Sequence, residues 1–242
     1  MPAIRIFEST LELSKTAAEI FIETAKEAVH ARGRFTVALT GGSSPLHLYQ
    51  LLAQSPYREQ VPWQQSFIFW GDERWVPVTD DKSNAKMAFE NLLNRVPVPT
   101  DQIFPMWEER KPEDFARDYE GLLYKELGPS GSFDLVLLGM GDDGHTASLF
   151  PYTEVLEETE HWVKAYYLAP QQMHRITLTA PCINRARKIL FLTFGEKKRN
   201  ALYQVLQGTP NPEKYPAQLI KPAEGEVIWL VGKSAAQELK AE

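Results

Sequence analysis

The 242-residue sequence has a single cysteine, Cys182. That excludes an intramolecular disulfide and any thiolate zinc cluster, and it fits a reducing, cytoplasmic setting. No apolar run approaches the ~20 residues that span a bilayer, so no membrane association is expected. The opening stretch MPAIRIFEST carries no basic segment ahead of a long apolar one, and a secretory signal is not expected. Long basic tracts are missing as well, and the formal charge is −6. Duplex binding takes its affinity from Lys and Arg that neutralise phosphates, so nucleic acid is not an expected partner. There is no G-x-S-x-G elbow, no HExxH and no clustered His/Cys set, which leaves neither a serine nucleophile of that type nor a catalytic zinc. Cys182 stands beside Pro181 with no activating neighbour. Activated water is the simplest nucleophile left.

What is present is a large apolar fraction, 43% of residues, enough to bury a substantial core. Strand-like and helix-like segments alternate along the chain. Helical periods cover 10–32 (ending near Gly33), a stretch reaching about Ala53, then 84–93, 112–127, 195–206 and 234–240. Strand-like runs cover 35–39, 67–70, 133–138, 162–167, 176–179, 189–194 and 227–231, with a first strand beginning by Ile4. This alternation predicts an α/β fold: a doubly wound, mostly parallel sheet with helices on both faces. Neither repeats nor low-complexity linkers appear, so residues 1–242 are expected to form one domain. The proline-bearing stretches 96–112 and 208–222 read as excursions from it.

In open α/β sheets, ligands sit beyond the carboxyl ends of the strands. Four unusual stretches fall there: Gly41-Gly42-Ser43, Asp72-Glu73-Arg74, Gly139 to His145, and Gly195 to Lys198. The glycines of LLGMGDDGHTASLFP spell G-x-G-x-x-G, but this is not a nucleotide cradle. His145 stands where a P-loop needs lysine, and Asp142 and Asp143 would place carboxylates against a polyanion. The better phosphate candidate is the turn at 40–45, with Ser44 as N-cap and Pro45 in the first helical turn. Arg175 and Lys198 are candidate cationic clamps. His145 reads either as a helix-start residue bonded to a nearby carboxylate or as a positioned general base. A helix end would disfavour its imidazolium, and Asp142 or Asp143 would favour it. Asp72 and Arg74 form either a salt-bridged pair or substrate contacts.

LTGGSSP, FWGDERWVP followed by DKSNAKMA, LLGMGDDGHTASLFP, and RITLTAP followed by FGEKKRNAL resemble, in content and order, the 6-phosphogluconolactonases. The match spans about residues 4–232, and DGHTASLFP is its most specific segment. The resemblance implies hydrolysis of 6-phospho-D-glucono-1,5-lactone to 6-phosphogluconate, on an α/β fold shared with glucosamine-6-phosphate deaminases. It implies a small phosphorylated sugar lactone as the partner and no metal or organic cofactor. By position, His145 would activate water, with Asp72 and Arg74 also in the active site. Gly42 and Ser43, beside Gly41, would meet the phosphate together with Arg175 and Lys198. The deaminases carry a glutamate five residues after the matching histidine, where this chain has Phe150. A sugar-phosphate sensor would need a DNA-reading module, and an acidic chain whose first strand begins by Ile4 offers no basic recognition helix. A monomer is expected by default, since no extended apolar seam stands out.

Overall fold

The computed structural model describes residues 2–240. The chain runs β1 (Ala3–Phe7), α1 (Thr10–Arg32), β2 (Phe35–Leu39), α2 (Leu46–Leu52), β3 (Ser66–Trp70), β4 (Asp72–Arg74), α3 (Asn84–Asn91), α4 (Pro112–Leu127), β5 (Leu135–Gly139), β6 (Val163–Leu168), β7 (Met173–Leu178), α5 (Ala180–Ile183), β8 (Lys188–Thr193), α6 (Arg199–Gln207) and β9 (Glu226–Gly232). Six strands form a wholly parallel sheet in the order β1-β9-β8-β5-β2-β3. The expected mostly parallel α/β fold is therefore present. No helix among the described residues is long and apolar enough to cross a membrane.

Local chemistry explains the main elements. Ser9 caps α1 through a reciprocal capping box with Glu12, and Gly33 closes the helix in the left-handed conformation. Between these ends Leu13, Ala17, Phe21, Ala25 and Ala28 recur at helical spacing and are fully buried. The central strand β2 reads FTVAL and is buried along its whole length, as a parallel strand covered on both faces must be. Tyr49 of α2 pins the end of β2: its hydroxyl donates to the Thr40 carbonyl (2.8 Å) and accepts from the Thr40 N–H (3.1 Å).

Three expectations are corrected. Residues 234–240 form turns rather than a helix: Ala235 and Ala236 fold back onto the Gly232 carbonyl, and so short a segment does not outweigh the cost of helix nucleation. The strand expected at 176–179 is the longer β7, and with β6 it joins β4 in a second, antiparallel sheet of order β4-β7-β6. Alternation along the chain carries no signal for which sheet a strand joins. Finally, Ser44 does not cap α2. Pro45 takes the N-cap position without a side-chain bond, while Ser44 is buried against Gly139 at the end of β5.

One carboxylate ties the sheet together at its other end. Asp134, just before β5, accepts from Thr36 N (2.8 Å), Thr36 Oγ1 (2.9 Å) and Arg32 Nη2 (2.7 Å). Asp134→Ala would strand two buried donors and a partly buried guanidinium. A loss of about 3 kcal/mol is expected, read as a lower urea midpoint with an unchanged slope. An unchanged midpoint would contradict this role.

Candidate active site

β8, β5, β2 and β3 are consecutive neighbours in the parallel sheet, so the loops that follow them open side by side. After β3 the chain returns to place β5 on the far side of β2. That reversal creates a crevice between the loops following β2 and β5. A cavity of about 200 Å³ lies there, lined among others by Gly42, Asp72, Arg74, Asn84, His145 and Lys198. It is smaller than the ~300–1,000 Å³ of pockets for drug-sized ligands and suits a compact polar molecule. Gly41 and Ser43 share the wall, so seven of the eight expected site residues converge.

Arg175 is the exception, since it does not line the cavity. It lies on β7 opposite Arg74, is 4% exposed, and donates through Nη2 to the Gln171 carboxamide. Its guanidinium sits 5.4 Å from the centre of the Phe150 ring. Burial and neighbouring Arg74 lower its pKa against the pull of Asp72, but a guanidinium remains charged.

His145 is held by its own loop. No helix follows Gly144; residues 141–152 make successive turns, so a helix end does not act on the imidazole. Asp143 Oδ1 lies 2.5 Å from His145 Nδ1 and also accepts the His145 backbone N–H at 3.0 Å. Of the paired aspartates it is therefore Asp143 that serves the histidine. Burial pushes the Asp143 carboxyl up, but the hydrogen bonds and charge of His145 outweigh it and hold it below its ordinary value. With Nδ1 engaged, Nε2 is the ring nitrogen left for chemistry. The imidazole stacks on Phe150 with centroids 4.0 Å apart. Gly141 is required here, because a Cβ would collide with both the imidazole and the Asp143 carboxylate.

Asp72 is fixed by the second sheet. β4 pairs with β7, setting Asp72 opposite Thr177, whose Oγ1 accepts the Ser148 N–H at 3.2 Å. Ser148 Oγ in turn donates to Asp72 Oδ2 at 2.6 Å, joining the histidine loop to β4. Just before this contact Ala147 adopts φ +48°, a conformation rare for a residue with a Cβ. Lys198, just ahead of α6, has its pKa lowered by burial, partly offset by Asp142.

Sequence reasoning missed Ser148, Asn84 and the role of Glu73. The first two lie inside the quoted segments DGHTASLFP and DKSNAKMA, but their spacing alone assigns them nothing. Glu73 is fully buried and accepts from the backbone N–H groups of Asn84 (2.7 Å), Ala85 (2.8 Å) and Arg74 (2.8 Å), and from Ser83 Oγ (3.0 Å). Burial pushes its carboxyl up to about 7, against those N–H groups and with help from the charge of Asp72. The folded state thus holds this proton more tightly than the unfolded chain. The stability it contributes is present below pH 4.5 and lost as pH rises to about 7. Unfolding free energies of wild type relative to Glu73→Gln should therefore fall across that window; a flat difference would contradict the shift.

The sequence profile of the glucosamine-6-phosphate isomerases/6-phosphogluconolactonase family matches residues 8–229. A 6-phosphogluconolactonase of Synechocystis sp. is 41% identical over 219 residues, covering 88% of each chain. One from Nostoc sp. is 35% identical over 241 residues, covering 98% of each. The solved 6-phosphogluconolactonase of Trypanosoma brucei superposes with a TM-score of 0.86 at 28% identity, over 99% of each chain. A monomeric glucosamine-6-phosphate deaminase, at 22% identity and a TM-score of 0.84, shares the fold. A profile match over nearly the whole chain, joined to these full-length likenesses, places the protein in the glucosamine-6-phosphate isomerase/6-phosphogluconolactonase family.

Proposed function

We propose that the protein hydrolyses 6-phospho-D-glucono-1,5-lactone to 6-phospho-D-gluconate. The observation that carries this reading is the Asp143–His145 pair, whose histidine lines the same cavity as the Gly41-Gly42-Ser43 turn. In this account the backbone N–H groups of Gly41, Gly42 and Ser43 and the cations of Lys198 and Arg74 hold the phosphate. Arg175 adds positive potential from behind Phe150. The lactone carbonyl then lies toward His145.

His145 Nε2 takes a proton from water as the water oxygen bonds to C1, and the carbonyl π electrons move onto oxygen. When that intermediate collapses, the bond from C1 to the ring oxygen breaks and the leaving oxygen takes the proton back from His145. Asp143 keeps the imidazole in one tautomer and stabilises its transient positive charge, while Asp72 accepts from a substrate hydroxyl or the water. Water as nucleophile makes no demand on a metal. Among the described residues no group of three or more His, Cys, Asp and Glu side chains is arranged to hold one.

Phe150 supports hydrolysis over deamination and ring opening. It stacks on His145 where the deaminases carry their acid–base glutamate, so no carboxylate stands at that place. We also read residues 1–242 as a single domain and the monomer as sufficient, because both sheets of one chain supply the site.

The test is hydrolysis of freshly generated lactone, followed above its spontaneous background, with glucosamine 6-phosphate as control. Wild type should accelerate it, and His145→Ala should lower kcat by ~10²–10⁴-fold with little change in KM. Lys198→Ala should mainly raise KM. A folded wild-type protein without acceleration would overturn the reaction. Near-normal turnover by His145→Ala would remove it as the base.

A further inference from the structure

Asn84 opens α3 and is 2% exposed, yet it lines the cavity. Both of its donor groups are committed. Its backbone N–H donates to Glu73 at 2.7 Å, and its Nδ2 donates to the Asp72 carbonyl at 2.9 Å and to Asp72 Oδ1 at 3.3 Å. Its Oδ1 is buried without a hydrogen-bond partner among the described residues and lies against Gly41, where any Cβ would collide with the carboxamide. One side chain therefore touches two parts of the cavity lining: Asp72 at the start of β4 and the glycine turn after β2.

Glu73 explains why Asn84 stays there. It is a fully buried carboxylate with no ion-pair partner among the described residues, an arrangement that is normally unfavourable. The N-terminus of α3 offsets part of that cost, because two of its free N–H groups and the positive end of its dipole point at the carboxylate. The first turn of α3 is thereby clamped to β4, one residue from Asp72. A helix serving only the core would be capped adequately by Ser83, which already accepts the Lys86 N–H at 3.1 Å.

We propose that Asn84, clamped by Glu73, is the positioning residue for Asp72. It fixes both the orientation of that carboxylate and its distance from the Gly41-Gly42-Ser43 turn. The unpaired Oδ1 follows from this arrangement: the carboxamide is oriented for Asp72, and its acceptor is left facing the one residue type that can approach it. The inference rests on the proposed lactone hydrolysis, since Asp72 is assigned to that site.

The test compares Asn84→Ala, Asn84→Asp and Asn91→Ala with wild type in the lactone assay, alongside thermal unfolding. Asn91 sits at the far end of α3, bonded to Met87 and Gln50, and serves as a matched control on the same helix. Misplacing a reacting group by about an ångström lowers rates by up to ~10²-fold. Asn84→Ala is expected to lower kcat by ~10–10²-fold with KM changed by less than about threefold. Asn84→Asp preserves size and backbone capping but turns the donor facing the Asp72 carbonyl into an acceptor, and its kcat should fall at least as far. Asn91→Ala should leave kcat unchanged at any loss of Tm. If Asn84→Ala does not fold, the isosteric Asn84→Asp decides alone. A kcat within twofold of wild type in the folded Asn84 variants, or a loss tracking Tm equally in all three proteins, would overturn the positioning role. A wild type that does not hydrolyse the lactone would instead overturn the reaction itself, and the inference with it.

Discussion

The site depends on one topological constraint, the return of the chain after β3 to lay β5 on the other side of β2. Parallel neighbours end on the same edge of a sheet, so the reversal opens a crevice between two loops that lie ~100 residues apart in sequence. One loop brings exposed backbone N–H groups in Gly41-Gly42-Ser43, and the other brings His145. The β8 end adds Lys198 and the β3 end adds Asp72 and Arg74. Strand order thus brings the glycine turn and His145 to the lining of one compact cavity. The side chains then refine it.

That refinement is carried largely by carboxylates bonded to backbone N–H groups. Glu73 gathers three of them and the Ser83 hydroxyl, Asp143 holds His145 by both its N–H and its ring, and Asp134 holds Thr36. Glu158 does the same for residues 159–161, and Glu120 for Trp162 and Val163. An acidic chain with an anionic substrate looks contradictory at first. These five carboxylates, however, serve as anchors for the backbone of the loops and strand starts around them. The phosphate would meet Lys198 and Arg74 and the open N–H groups.

The parallel core was legible because its strands are continuous apolar runs, α1 carries a clean period with a capping box, and α4 opens on Pro112 and ends before Gly128; α4 spans 112–127 as read. The convergence of the glycine turn, Asp72, His145 and Lys198 was legible too, since each follows a strand. Three things were not. The three-stranded sheet depends on β4, a three-residue strand whose pairing with β7 is a long-range event. Asn84 and Ser148 act through partners 12 and 76 residues away, and no local pattern encodes such distances. Arg175 was read as a clamp from its charge, whereas its strand position buries it beside Phe150.

The most direct test is a crystal structure of the complex with 6-phosphogluconate, the product of the proposed reaction. The phosphate is expected on the N–H groups of Gly42 and Ser43 with Lys198, and the C1 carboxylate within hydrogen-bonding reach of His145 Nε2. Binding in the larger tyrosine-lined cleft beside Tyr152 and Tyr167, or the ligand reversed with its phosphate on His145, would contradict that placement.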